Sequence, residues 1–134
     1  MPAPDLPVIK ELPMPHAVMH LPLDLETIRA QFVPEHHRYG EAHIHFNAVY
    51  LGEDSLLFDV YIKEPTIDQR LAFTLLARDT PGDYTLQLTM LGHPRPTAGV
   101  HGAAHLLSEW LLSLHPEGRI LHAKLQPRLE DDTA

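Results

Sequence analysis

The chain has 134 residues, a hydrophobic fraction of 44% and a formal net charge of −8. This length suits one domain with its own core, and the negative charge argues against binding to nucleic acid, which needs a basic surface. The chain has no cysteine, which excludes disulfides, thiolate metal sites and cysteine nucleophiles. It also lacks a run of about 18 apolar residues that would predict a membrane span. Its start has neither the basic nor the apolar region of a secretory signal, so we expect a cytoplasmic protein.

The first part of the chain is rich in proline, which removes backbone donors and disfavours helix. We therefore predict a flexible arm over residues 1–15, followed by a single α+β domain over residues 16–127. Residues 16–21 are apolar and bracketed by prolines, which favours an edge strand or an extended arm. Residues 24–32 are predicted to form a short helix that Asp24 caps and Pro34 ends.

Four runs in which apolar and polar residues alternate lie between Ala42 and Leu91. One side of these runs is apolar and the other is largely polar. This pattern predicts a four-stranded antiparallel meander with one face packed on a core. The polar stretch before it, residues 35–41, is interpreted as a connection.

The period becomes helical after the meander. Apolar residues form one stripe from Val100 to Leu114, with Thr97 as a candidate cap, and Pro116 ends the helix. Alternation returns over residues 119–126 and predicts a final edge strand, and residues 128–134 form an acidic tail. The predicted fold class is α+β: a four-stranded antiparallel β-meander, a long C-terminal helix and a short N-terminal helix packed on one face, plus a final edge strand.

The polar face of the predicted meander also carries several large apolar residues. Such a patch is typical of a protein interface, so we predict that the chain forms a homodimer through this face of its sheet. The candidate interface residues are His43, His45, Val49, Leu51, Leu57, Tyr61, Leu76 and Leu91.

Histidine is unusually frequent, with 11 residues. His43 and His45 share one face of a strand, and His101 and His105 lie one helical turn apart, a spacing that can chelate a metal. With His36 and His37, these residues are candidate ligands for zinc or iron. The strand pair and the helix pair are predicted on opposite sides of the sheet, where they could not share one ion.

No catalytic residue is predicted, because no serine lies in a strand–turn–helix elbow and the glycines form no phosphate loop. We therefore predict a non-enzymatic protein-interaction or chaperone-like module that self-associates, with another protein as a further candidate partner. At the level of fold class it is similar to small acidic secretion chaperones. One alternative is a small-molecule or metal-binding protein, including an enzyme, that uses the histidine clusters. Another is an accessory subunit of a larger assembly, docked through the arm or the tail.

Overall fold

The computed structural model describes residues 12–90 and 92–127. In chain order the elements are β1 (His16–His20), α1 (Leu25–Gln31), β2 (Glu35–Tyr39), β3 (Ala42–Leu51), β4 (Ser55–Lys63), β5 (Asp68–Ala77), β6 (Asp83–Leu88), α2 (Ala98–Ser113) and β7 (Arg119–Lys124). Residues 1–11 of the predicted arm, the predicted tail at 128–134 and the candidate interface residue Leu91 lie outside the described residues.

The strands of the described residues form one curled antiparallel sheet in the order β2-β3-β4-β5-β6-β1-β7. Strands β2 to β6 follow one another as hairpin neighbours, β1 lies between β6 and β7, and β2 and β7 form the two edges. The prediction of a four-stranded meander is therefore wrong, because the sheet has seven strands.

Strand β2 was interpreted as a polar connection because its only large apolar residue is Tyr39. An edge strand can remain polar, since one of its edges has no partner and its side chains reach solvent. A two-residue turn at Gly40 and Glu41 returns the chain into β3, and Tyr39 pairs with Ala42. Gly40 has a φ of 59°, the left-handed conformation that glycine favours at the first position of a tight hairpin turn.

Strand β1 is an interior strand, although its flanking prolines suggested an edge. It pairs antiparallel with both β6 and β7. No proline falls inside the strand, so each of its N–H groups remains a possible donor. Its alternate residues Ala17 and Met19 are at most 1% exposed, and they add to the core beneath the sheet.

One face of the sheet, which we call the inner face, carries the core. Its largest fully buried side chains include Phe58 and Phe73. Helix α1 contributes Ile28 to the same core, and α2 contributes Val100 and Leu111 among other residues. None of the helices in the described part of the chain is long and apolar enough to cross a membrane.

The helix starts follow local capping chemistry. The Asp24 carboxylate accepts a hydrogen bond from the Thr27 N–H at 2.7 Å, and the Thr97 hydroxyl accepts one from the Val100 N–H at 3.4 Å. Both residues satisfy backbone donors that a helix start otherwise leaves free. The prediction that Asp24 and Thr97 cap the two helices is confirmed.

A β-bulge interrupts β3 at Asn47, where the pairing with β4 shifts between Phe46 and Ala48. Because side chains alternate between faces, one extra residue moves every later side chain to the opposite face. Val49 consequently lies opposite the buried Phe58, and Tyr50 lies opposite Leu57. The second half of β3 thus has the reverse of the predicted orientation.

Candidate functional site on the outer face of the sheet

The face of the sheet opposite the core is the outer face. Both helices contribute to the core on the inner face, so neither helix covers the outer one. Because the sheet curls around that core, its outer face is convex. It carries two groups of side chains that differ in chemistry.

The first group is the outer apolar patch, formed by Tyr50, Leu57 and Leu76. Tyr50 and Leu57 are direct cross-strand neighbours. Leu57 lies opposite Thr74 on β5, so Leu76, two residues along, is its diagonal neighbour and within reach of a long side chain. Tyr50 is 58% and Leu76 39% exposed. The sequence prediction missed Tyr50, since only the bulge turns it outward.

The second group is the outer histidine cluster, formed by His36, His43 and His45. His36 on β2 lies directly opposite His45 on β3. Their rings stack with centroids 4.3 Å apart and planes within 4°. The His43 Nδ1 atom lies 3.4 Å from the His36 Nε2 atom. Cross-strand pairing thus brings together three of the six histidines that were predicted as metal ligands.

The electrostatic surroundings of this cluster are mixed. Partial burial first, and then the neighbouring His36 and His43, lower the pKa of His45. His43 lies opposite Arg38 on one side and Lys63 on the other. The lowered pKa favours the neutral form of His45.

Between the two groups lies a band of polar side chains. Arg70 donates two hydrogen bonds to the Asp59 carboxylate, at 3.2 and 2.9 Å. Arg70, Asn47, Tyr61 and His45 line a shallow depression of about 340 Å³. Arg70 is already paired with Asp59, so the depression offers little unsatisfied charge to a ligand.

The other predicted interface residues lie elsewhere. Val49 packs against the core, and Leu51, opposite the buried Leu56, is on the same side of the sheet and 44% exposed. The bulge at Asn47 explains both positions. His43, His45, Leu57, Tyr61 and Leu76 do lie on the outer face, as their register shows.

The histidines of α2 are held by backbone groups. His101 Nε2 donates to the Pro13 carbonyl at 2.7 Å, and its Nδ1 accepts from the Gln126 N–H at 3.0 Å. His105 Nε2 donates to the Gln126 carbonyl at 2.5 Å. His101 therefore has no ring nitrogen left for a metal, and the pair ties α2 to the segments that flank β1 and β7.

His37 projects to the inner side of β2, away from the outer histidine cluster. Its Nε2 atom lies 2.7 Å from a Glu35 carboxylate oxygen. The two residues line a narrow crevice with Phe46 and Trp110. Across residues 12–90 and 92–127, no group of three or more histidine, aspartate or glutamate side chains could hold a metal ion.

An open groove of about 460 Å³ lies beside the start of α1 and the β5–β6 turn. Its polar side chains already bind other protein groups: Asp24 caps α1, Arg78 donates to Thr85, Asp83 binds His20, and Tyr84 donates to the Leu23 carbonyl. These polar side chains therefore stabilise the fold and are not free to bind a ligand.

Comparisons of the chain with protein-family models, with curated proteins and with solved structures found no match. Any functional assignment therefore depends on the geometry described above.

Proposed function

We propose that this chain is a non-enzymatic protein-interaction module of chaperone-like kind, which binds a second copy of itself through the outer face of its sheet. The observation that carries the proposal is the outer apolar patch. Tyr50, Leu57 and Leu76 adjoin one another on a face that neither helix covers. Removing such contiguous apolar surface from water favours association.

A second copy is a suitable occupant because an apolar patch is complementary to itself across a two-fold axis. Two sets of charged groups lie beside this patch. Arg78 lines a depression with Leu76 and donates to the Thr85 hydroxyl at the rim. Asp59 and Arg70 neutralise each other within one copy, so they bring no unpaired charge to the rim.

The shape of the face limits the strength of this contact. Two convex faces meet along a strip no wider than three strands, about 14 Å by about 30 Å, or about 400 Å² per copy. Stable interfaces bury about 800 Å² per partner. We therefore expect a weak dimer, with a Kd between about 1 µM and about 1 mM.

Sedimentation equilibrium over a wide range of protein concentration tests the proposal. The parent chain should show a monomer–dimer equilibrium, and Leu76→Lys and Tyr50→Lys should weaken it by about 100-fold, since each dimer carries two substitutions worth about tenfold each. Both side chains are well exposed, so both variants should keep the parent's thermal unfolding midpoint.

The matched control is Val33→Lys, which replaces an apolar side chain that is 65% exposed and precedes β2. This variant should dimerise like the parent chain. A parent chain that stays monomeric at every concentration would overturn the proposal. So would a Leu76→Lys variant that folds and dimerises as the parent does.

A further inference from the structure

The outer histidine cluster has a geometry that the self-association does not use. Two ring nitrogens on neighbouring strands, His36 Nε2 and His43 Nδ1, lie 3.4 Å apart. A hydrogen bond from a ring nitrogen normally spans about 2.7–3.2 Å. The observed distance is therefore long for a direct bond between the two rings.

The same distance suits two ligands of one metal ion. Zinc binds imidazole nitrogen at about 2.0–2.1 Å with tetrahedral angles, which places two such nitrogens about 3.3–3.4 Å apart. We propose that His36 and His43 form a two-nitrogen chelate for a divalent transition-metal ion of the zinc class, with water completing the coordination.

The cluster also explains how the chelate would be held in place. His45 lies directly opposite His36, and the two rings stack at 4.3 Å with nearly parallel planes. This contact restricts rotation of the His36 ring, so His45 is a positioning residue for the chelate. His45 would act through ring stacking, whereas the outer partners of metal-bound imidazoles in other proteins act through hydrogen bonds.

Access and charge are compatible with an ion from solvent. His36 and His43 are both exposed. The cations that lie opposite His43, Arg38 and Lys63, have long side chains. The Arg38 Nε–H donates to the Gly40 carbonyl, which draws the guanidinium towards the hairpin turn. Lys63 lies opposite Asp68, and opposite charges at such cross-strand positions attract each other.

Calorimetric titration of the untagged full chain with Zn²⁺ tests the chelate. We expect one site whose affinity falls at least about tenfold in His36→Ala and in His43→Ala, because each variant removes a ligand. The matched control is His37→Ala, the neighbouring residue on the inner side of β2, which should bind Zn²⁺ as the parent chain does.

The positioning role of His45 has its own readout. His45→Phe keeps a flat ring against His36 and should retain the affinity, whereas His45→Ala should lose part of it. In addition, Zn²⁺ should shift the imidazole ¹⁵N resonances of His36 and His43 more than those of His37. Absence of Zn²⁺ binding by the parent chain, or equal binding by folded His43→Ala, would overturn the chelate. Equal loss in His45→Phe and His45→Ala would show that His45 is a ligand, which overturns its positioning role.

Discussion

Gly102 determines how closely α2 approaches the edge of the sheet. A Cβ atom added to it would lie 2.4 Å from Cδ1 of Tyr39 and within 2.9 Å of two further ring atoms. Tyr39 is 5% exposed and its ring stacks against His105 at 6.3 Å, so the ring cannot move aside freely. Gly102→Ala should therefore force the helix and strand β2 apart.

Two effects of this substitution oppose each other. Alanine is favoured over glycine inside a helix by about 0.8–1.0 kcal/mol, whereas overpacking a filled core costs about 1–3 kcal/mol. We expect the free energy of unfolding to fall by up to about 2 kcal/mol, with the clash exceeding the helix preference. The sign of the change depends on the Tyr39 ring.

A double-mutant cycle isolates that dependence. Tyr39→Ala alone should cost about 3–5 kcal/mol, as for other buried aromatic residues. In that background Gly102→Ala meets no ring and should stabilise the protein by about 0.8–1.0 kcal/mol. Urea unfolding followed through the single Trp110, which lies on α2, measures all four variants. The reasoning fails if Gly102→Ala raises the free energy of unfolding equally in both backgrounds.

Two further predictions concern buried polar contacts. Burial lowers the pKa of His101, so the unfolded chain binds more protons than the folded chain below about pH 6.5. The stability that His101 contributes should therefore be lost as the pH falls from that value. Protonation also turns Nδ1 into a donor that faces the Gln126 N–H. Urea unfolding at pH 7.5, 6.5 and 5.5 should show this loss, and an unchanged pH dependence in His101→Gln would contradict it. Glu64 accepts hydrogen bonds from the Thr97 hydroxyl and the Gly99 N–H. Glu64→Ala should thus lower the free energy of unfolding by about 1–3 kcal/mol. Substitution of the exposed Glu41 by alanine should change it by less than about 0.5 kcal/mol. Equal effects of the two substitutions would contradict a stabilising role of the Glu64 hydrogen bonds.

The parts of the fold that the sequence predicts well are those that local chemistry determines. The residues predicted on the apolar side of the central strands, such as Ile62, Phe73 and Leu86, are buried. The alternation of apolar and polar residues is a local signal, because each of these strands turns one face towards the core. The caps Asp24 and Thr97 act within three residues of themselves, so neighbouring residues suffice to identify them.

The parts that the sequence predicts badly depend on distant partners. Strand β1 is interior only because β7, about a hundred residues later, pairs with its free side. Strand β2 has one large apolar residue, Tyr39, and its burial comes from α2, through Gly102. Neither β7 nor α2 can be identified as a partner from the local sequence of the strand that it covers. The glycine of the β2–β3 turn was the one local signal for that hairpin.

The bulge at Asn47 has the largest consequence for the candidate site. A strict alternation through β3 placed Val49 and Leu51 outward, yet one extra residue turns them inward and brings Tyr50 out. No residue type in this stretch marks the bulge, since neither glycine nor proline occurs between Ala42 and Leu51. The predicted patch therefore contained two residues from the wrong face and lacked the most exposed one.

The structure separates the histidines of the outer face from its apolar residues, whereas the sequence predicted both in one interface. His45 and Tyr50 lie on the same strand, five residues apart, which corresponds to about 17 Å of extended chain. The Asp59–Arg70 pair lies between the outer histidine cluster and the outer apolar patch. A two-fold contact centred on the patch would leave the cluster at its periphery, so His43→Ala should spare self-association and Leu76→Lys should spare the chelate. Each variant is thus a control for the other proposal, and a loss of both properties in either one would point to a general change in the sheet.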